Sequence, residues 1–254
     1  MNLLVDIGNT TIGVIFSKDG KFTESFRLAS RKDKVSYEYY SLFKHLLKDY
    51  LHEDVKHICV SSVVPLLTNI VLENLTRIYP KAKSIVVKPG IKTGVMLKID
   101  NIPELGADLV CDLVALKKKY GPSSIVIDLG TATKFLLLDK DGVFQGCSIA
   151  PGLSQSLKGL CLEASLLPEV DLSLPKNVIG KNTFEAIKSG SVLGHAYMIL
   201  GMCSAYEKEI GYKLKKIVTG GNSYYIKDIL LDNSFIIDEN LVFDGLETIC
   251  DKNK

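Results

Sequence analysis

A short pattern occurs twice in this chain, and it constrains the fold more than any other feature of the sequence. Ser124-Ile125-Val126-Ile127-Asp128-Leu129-Gly130-Thr131-Ala132-Thr133 is an apolar, β-branched run ending in an acid, a glycine and small hydroxyls. Leu3-Leu4-Val5-Asp6-Ile7-Gly8-Asn9-Thr10-Thr11 repeats the design near the N-terminus. Such a run reads as a buried strand. The turn after it suits a phosphate and its metal: glycine lets backbone N–H groups approach, hydroxyls donate, and a carboxylate can hold a cation. Asp6 and Asp128 lie 122 positions apart, as do Gly8 and Gly130, Asp19 and Asp141, Gly20 and Gly142, and Phe22 and Phe144. Each copy continues into a second apolar strand closed by Lys-Asp-Gly, a hairpin signal. Two unrelated hairpins would share that register only by chance. The repeat therefore predicts two duplicated halves, each opening strand, Asp-x-Gly turn, strand, Asp-Gly turn, strand, with one carboxylate from each half facing a cleft.

With 254 residues the chain has room for two such halves, and an apolar content of 46% supports a substantial core. Its 31 basic and 29 acidic residues nearly cancel, so no strong field points to nucleic acid or an anionic membrane. Six scattered cysteines, at 59, 111, 147, 161, 203 and 250, form no Cys-x-x-Cys pair and read as buried free thiols of a reducing compartment. The start lacks the basic region of a signal peptide, and no apolar stretch reaches the roughly 20 residues needed to span a bilayer. A cytoplasmic protein is expected.

Between the repeats, periodicity predicts helices over Tyr37 to Leu51, Leu66 to Tyr79 and Glu104 to Tyr120, and strands over Val55 to Val64 and Ser84 to Val87. Ile91 to Asn101 reads as irregular. Glu104, Asp108 and Asp112 sit four apart beside the stripe formed by Leu105, Leu109, Leu113 and Leu116. That acidic row is either a solvated face or the source of a base. Gly121-Pro122 is the best domain boundary, giving halves of 1–121 and 122–254. Asn182-Thr183-Phe184-Glu185 matches a capping box, and the helix it starts runs to about Ile210. Its centre is apolar on nearly every face, which makes it a candidate subunit interface. His195 within it reads as a satisfied core residue. Lys216 to Thr219 reads as a last strand, running into a Gly220-Gly221 turn suited to a nucleotide base or ribose, with Asp251 to Lys254 as a loose end.

Two Asp-x-Gly hairpins, a helix-borne carboxylate and a glycine turn together suggest the α/β actin-like kinase superfold, built from two ribonuclease H-like domains. The sequence also resembles the type III pantothenate kinase family. The likeness rests on Asp6-Ile7-Gly8-Asn9-Thr10, Ser61-Ser62-Val63-Val64-Pro65, Gly106-Ala107-Asp108, Asp128-Leu129-Gly130-Thr131-Ala132-Thr133, Ile149-Ala150-Pro151-Gly152, Gly180-x-x-Thr183 and Thr219-Gly220-Gly221, in that order. It implies transfer of phosphate from ATP to pantothenate, the first step toward coenzyme A. It implies ATP phosphates on the loop of Asp6, Ile7, Gly8, Asn9, Thr10, Thr11, Ile12 and Gly13 and on Thr131. It implies Mg²⁺ with the nucleotide, and a monovalent cation (K⁺ or NH₄⁺) at Asp128. Asp108 is implied as the base, and Gly106, Ala107, Asp108, Leu109 and Thr183 as the pantothenate contacts. A homodimer is implied as well.

Three positions depart from the family pattern. Leu109 stands where an Arg usually follows Gly-Ala-Asp, and Ile99 replaces an aromatic, with Ile102 inserted before Pro103. Lys134 replaces the threonine that usually follows Thr133. A non-catalytic accessory protein on the same fold, or a kinase of another small alcohol, remains the alternative.

Overall fold

The computed structural model describes residues 1–164 and 166–254. The first copy of the repeat opens a sheet as β1 (Asn2–Ile7), β2 (Thr11–Lys18), β3 (Lys21–Phe22) and β4 (Phe26–Ala29), followed by α1 (Ser36–Leu46). β5 (His57–Ser62), α2 (Pro65–Ile78) and β6 (Lys83–Val86) complete that run. Then come β7 (Met96–Leu97) and α3 (Ala107–Lys119). The second copy forms β8 (Ser124–Leu129), β9 (Ala132–Leu138) and β10 (Val143–Pro151). After it follow α4 (Leu153–Glu163), α5 (Thr183–Lys188), α6 (Gly194–Ile210), β11 (Lys215–Thr219), α7 (Lys227–Asp232), β12 (Ile236–Ile237) and α8 (Leu241–Lys252).

The two copies make the same pairings. β1 is antiparallel to β2 and parallel to β5; β8 is antiparallel to β9 and parallel to β11. The sheets run β3-β2-β1-β5-β6, with β4 also on β2, and β12-β11-β8-β9-β10-β7. Asp19 and Gly20 both take positive φ, 53° and 76°, the backbone a two-residue hairpin needs.

Two compact units divide the chain. One holds Met1–Val95, Asp100–Lys118 and Leu241–Lys254, and the other holds Met96–Ile99 and Lys119–Asn240. The division at 121/122 thus differs from the observed one at the C-terminus: α8 belongs to the first unit, packed on β1 and β5. Strand alternation explains why. Leu3, Val5 and Ile7 face α1 and α2 through Tyr39, Phe43, Leu67, Val71 and Leu75. Leu4, Ile15 and Cys59 point to the opposite face and need another cover, which α3 and α8 supply through Cys111, Val114, Phe243, Leu246 and Ile249. Gly245 permits the close crossing, since a Cβ there would collide with the Cys111 carbonyl. In the second unit Ile125, Ile127, Leu129, Phe135 and Val218 pack with Leu153, Val192, Ala196, Ile199 and Leu230.

Several expectations need correction. Met96 and Leu97, in the stretch read as irregular, pair with Val143 and Phe144 of β10. Glu104 lies in a separate 3₁₀ turn, Ile102–Glu104, ahead of α3, because Pro103 and Gly106 interrupt the helical ladder there. Asp112 is buried, so the acidic row is not a solvated face. β12 follows the strand read as last, and Asp251 and Lys252 belong to α8. Cys59 on β5 and Cys250 on α8 are joined as a disulfide, with Cα atoms 6.1 Å apart, whereas Cys111 and Cys203 are buried thiols. The helix from Thr183 does continue to Ile210, through a π-helical stretch at Ser189–Leu193, and ends at Gly211 with φ 81°. Among the described residues no helix is long and apolar enough to cross a membrane.

Candidate active site

In the first unit, alternation along β1 puts Asp6 on the same face as Leu4, toward α3 and α8. Its ladder partner across the parallel pair is Ser61, whose hydroxyl donates to Asp6 Oδ1 at 2.8 Å. Ile7 and Ile12 are buried and anchor the two arms of the hairpin, with Asn9, Thr10 and Thr11 exposed at its tip. The loop is closed by its own backbone and braced from outside by Ser30. Gly8 N–H donates to the Thr11 carbonyl at 2.9 Å, Ser30 Oγ donates to the Gly8 carbonyl at 2.6 Å, and Ser30 N–H to the Thr10 carbonyl at 2.9 Å. Gly13 lies opposite Asp6 in the ladder, where a Cβ would press on the Phe243 ring.

Gly106, Ala107, Asp108 and Leu109 form the start of α3 in the same unit. Gly106 carbonyl accepts the first helical bond, from Val110 N–H at 3.1 Å. Asp108 stands in the first helical turn, where the positive end of the helix favours a carboxylate. Its Oδ1 accepts from Leu109 N–H at 2.9 Å. The carboxylate is turned back over Gly106: a Cβ on Gly106 would lie 2.5 Å from Asp108 Oδ1 and 3.3 Å from Val63 Cγ1. Val63 directly follows β5 and donates its N–H to the Ile7 carbonyl at 3.0 Å. The ends of β1 and β5 and the start of α3 therefore gather Asp6, Ser61, Val63 and Asp108. Leu109 is buried, with 6% of its surface exposed. Burial pushes the Cys111 thiol well above its ordinary range, and the negative charges of Asp6, Asp112 and Asp108 add to that effect.

In the second unit Asp128 is the penultimate residue of β8, on the face opposite the Ile125–Ile127–Leu129 row. Lys134 is its ladder partner on β9, with Nζ 2.8 Å from Asp128 Oδ2. Thr131 is exposed at the turn, and its carbonyl accepts from Gly152 N–H at 3.1 Å. Residues outside the turn hold it in shape. Asn222 Nδ2 donates to the Gly130 carbonyl at 2.8 Å, and Ser154 Oγ donates to Asn222 Oδ1 at 3.0 Å. Gly220, at φ 89°, sits so close to the Leu129 backbone that a Cβ would overlap it. Thr133 Oγ1 meets His195 Nε2 at 2.9 Å; burial lowers the imidazole's affinity for a proton and the pair is internal, as expected for a core histidine. Ser30, Ser154 and Asn222 carry no local sequence signal, and only the glycine turn at Gly220 hinted at the last of them. Thr183, exposed at the start of α5, borders a groove of about 690 Å³ with Gly180, Lys181 and Asn182.

Comparison with known proteins places the chain beside a family of small-molecule kinases. A family model described as type III pantothenate kinase matches residues 2–205. A curated type III pantothenate kinase of Citrifermentans bemidjiense is 38% identical to this chain, with the alignment covering 100% of both. Among solved structures, a Campylobacter jejuni protein assigned to the Baf family of transcriptional activators has a TM-score of 0.61 at 18% identity, covering 99% of this chain and 98% of that one. Component A of the (R)-2-hydroxyglutaryl-CoA dehydratase of Acidaminococcus fermentans has a TM-score of 0.56 at 14% identity, covering 100% and 99%. The structural likenesses show the fold, which is actin-like with two mixed α/β sheets.

Proposed function

This chain belongs to the type III pantothenate kinase family, and we propose that it transfers the terminal phosphoryl group of ATP to the hydroxyl of pantothenate, giving 4'-phosphopantothenate, the first step toward coenzyme A. The observation that carries the reading is the Asp108 carboxylate in the first turn of α3, turned over Gly106 beside the Asp6 hairpin. Phosphoryl transfer asks little covalent chemistry of the protein and much positioning. Asp108 accepts the proton of the substrate hydroxyl as it attacks, and its hydrogen bond from Leu109 N–H fixes the orientation of the carboxylate.

Gly106, Ala107 and Leu109 shape the ground around that carboxylate, and the family likeness makes Thr183 a further pantothenate contact. Leu109 acts from the core side, through its N–H rather than through an exposed side chain. The loop from Asp6 through Ile7, Gly8, Asn9, Thr10, Thr11 and Ile12 to Gly13 receives the ATP phosphates, with Thr131 as a second donor. Mg²⁺ bound with the nucleotide supplies charge neutralisation at the phosphoryl oxygens. Asp6 fits a role near it, being a half-buried carboxylate already oriented by Ser61. A positive charge beside Asp128, which the family likeness assigns to K⁺ or NH₄⁺, balances that second carboxylate. A second copy of the chain covers the exposed Leu162, Ile179, Phe184 and Tyr197, giving a homodimer that sedimentation would detect.

The test is ADP release with pantothenate, with other small alcohols and with no acceptor, followed by mass analysis of the product. Pantothenate-dependent release with a product heavier by one phosphoryl group is expected. Faster release with another alcohol would reassign the acceptor. ATP binding without turnover on any acceptor would make the protein an accessory factor.

A further inference from the structure

Asp128 and Lys134 are directly opposed in the antiparallel β8–β9 ladder, and opposed residues project from the same face of a sheet. The register alone therefore brings an ammonium to this carboxylate. Nζ and Oδ2 are 2.8 Å apart, and the two side chains are only 17% and 14% exposed. The matching hairpin of the first unit is built differently. There the residue opposite Asp6 is Gly13, which carries no side chain, and the neutral Ser61 hydroxyl donates to the carboxylate. The same supersecondary unit thus occurs twice, with a glycine opposite its aspartate in the first ladder and a lysine opposite it in the second.

The family likeness assigns a monovalent metal ion to Asp128. The residues present do not fit one at that carboxylate. A K⁺ ion there would share one carboxylate with a neighbouring ammonium, in a largely buried setting where like charges repel more strongly than in water. Lys134 also meets the need without an ion, because its charge is covalently attached and is present at every salt composition. We infer that the Lys134 ammonium takes the place of the monovalent cation, so that nucleotide binding and turnover in this chain are independent of K⁺ and NH₄⁺. The inference rests on the proposed location of ATP phosphates at the Gly130–Thr131 turn.

The experiment is a K⁺ titration at fixed ionic strength, with tetramethylammonium chloride as the balancing salt. The Kd for ATP with Mg²⁺ is read by calorimetry, and pantothenate phosphorylation is followed separately. For the wild type, both should change by less than about twofold between no K⁺ and saturating K⁺. Lys134→Thr should bind ATP about tenfold more weakly without K⁺ and recover to within about threefold of wild type when K⁺ is added, because the ion can then enter the vacated position. A wild-type Kd that tightens more than about fivefold with K⁺ overturns the inference. So does a folded Lys134→Thr variant that is indifferent to K⁺. If that variant does not fold, the wild-type titration decides by itself. The calorimetric arm needs no pantothenate turnover: a chain that binds ATP equally well in both salts but never phosphorylates pantothenate supports this inference and refutes the proposed acceptor. Failure to bind ATP in either salt overturns both.

Discussion

Replacing Gly106 with alanine should move the Asp108 carboxylate without removing it. The added Cβ would stand 2.5 Å from Asp108 Oδ1, whereas ordinary contact begins near 3.4 Å, so the oxygen must retreat by about 0.9 Å. Val63 Cγ1 at 3.3 Å limits relief on the other side. A displacement of about 1 Å at a reacting group costs roughly 10²-fold in rate, or about 2.7 kcal/mol in the barrier. Folding should suffer little, because the obstructing atom is the end of a side chain and alanine replaces glycine at a helix start, a change of about 1 kcal/mol or less. The assay is steady-state turnover with both substrates, alongside thermal unfolding and the Kd for ATP. A kcat lowered about 30- to 100-fold with ATP affinity kept is the expected result. If Gly106 acts only through the carboxylate, Gly106→Ala combined with Asp108→Asn should be no slower than Asp108→Asn alone. A Gly106→Ala variant with kcat within about threefold of wild type would refute the positional reasoning.

Two further predictions concern the frame around the site. Gly245→Ala forces a methyl into the Cys111 carbonyl, a backbone group that cannot swing aside as a side chain could, and should destabilise the protein by about 1–3 kcal/mol in urea unfolding; a loss below about 0.5 kcal/mol would show that α8 can shift away from α3. Glu207 is buried, which alone would raise its pKa, yet hydrogen bonds from Lys213, Leu214 N–H and Lys216 hold it below the ordinary carboxylate range. A carboxylate held low in the folded state adds stability above its unfolded pKa of about 4.3, and that stability disappears as pH falls through the folded value. Glu207→Gln should therefore cost about 1–3 kcal/mol at neutral pH and almost nothing under strongly acidic conditions. Equal losses at both pH values would remove the charge from the explanation.

The sequence made the hairpins legible because their information is local. Asp19-Gly20 and Asp141-Gly142 punctuate alternating apolar strands, and the repeat spacing ties the two copies together. It could not reveal Ser61 beside Asp6 or Asn222 beside Gly130, since those bonds join residues 55 and 92 apart through the sheet topology. Cys59 and Cys250 are 191 apart, and nothing in their spacing distinguishes a bonded pair from two thiols. α8 was missed for a different reason. Leu241, Leu246 and Ile249 have helical spacing, but Gly245 in the middle disfavours a helix, and the need for a small residue there comes only from the crossing with α3. Lys134 was visible as a departure from the family pattern, although its meaning depended on a register that puts it opposite Asp128.

The most direct test of the central claim is single-site removal of the base with binding intact. Asp108→Asn keeps the shape of the side chain and one hydrogen-bond acceptor, so ATP should bind within about twofold of wild type and the fold should melt normally. Conversion of pantothenate to 4'-phosphopantothenate, followed by mass spectrometry, should fall by about 10²–10⁴-fold. Turnover within about threefold of wild type in a folded, ATP-binding Asp108→Asn protein would remove Asp108 from the chemistry and contradict the account.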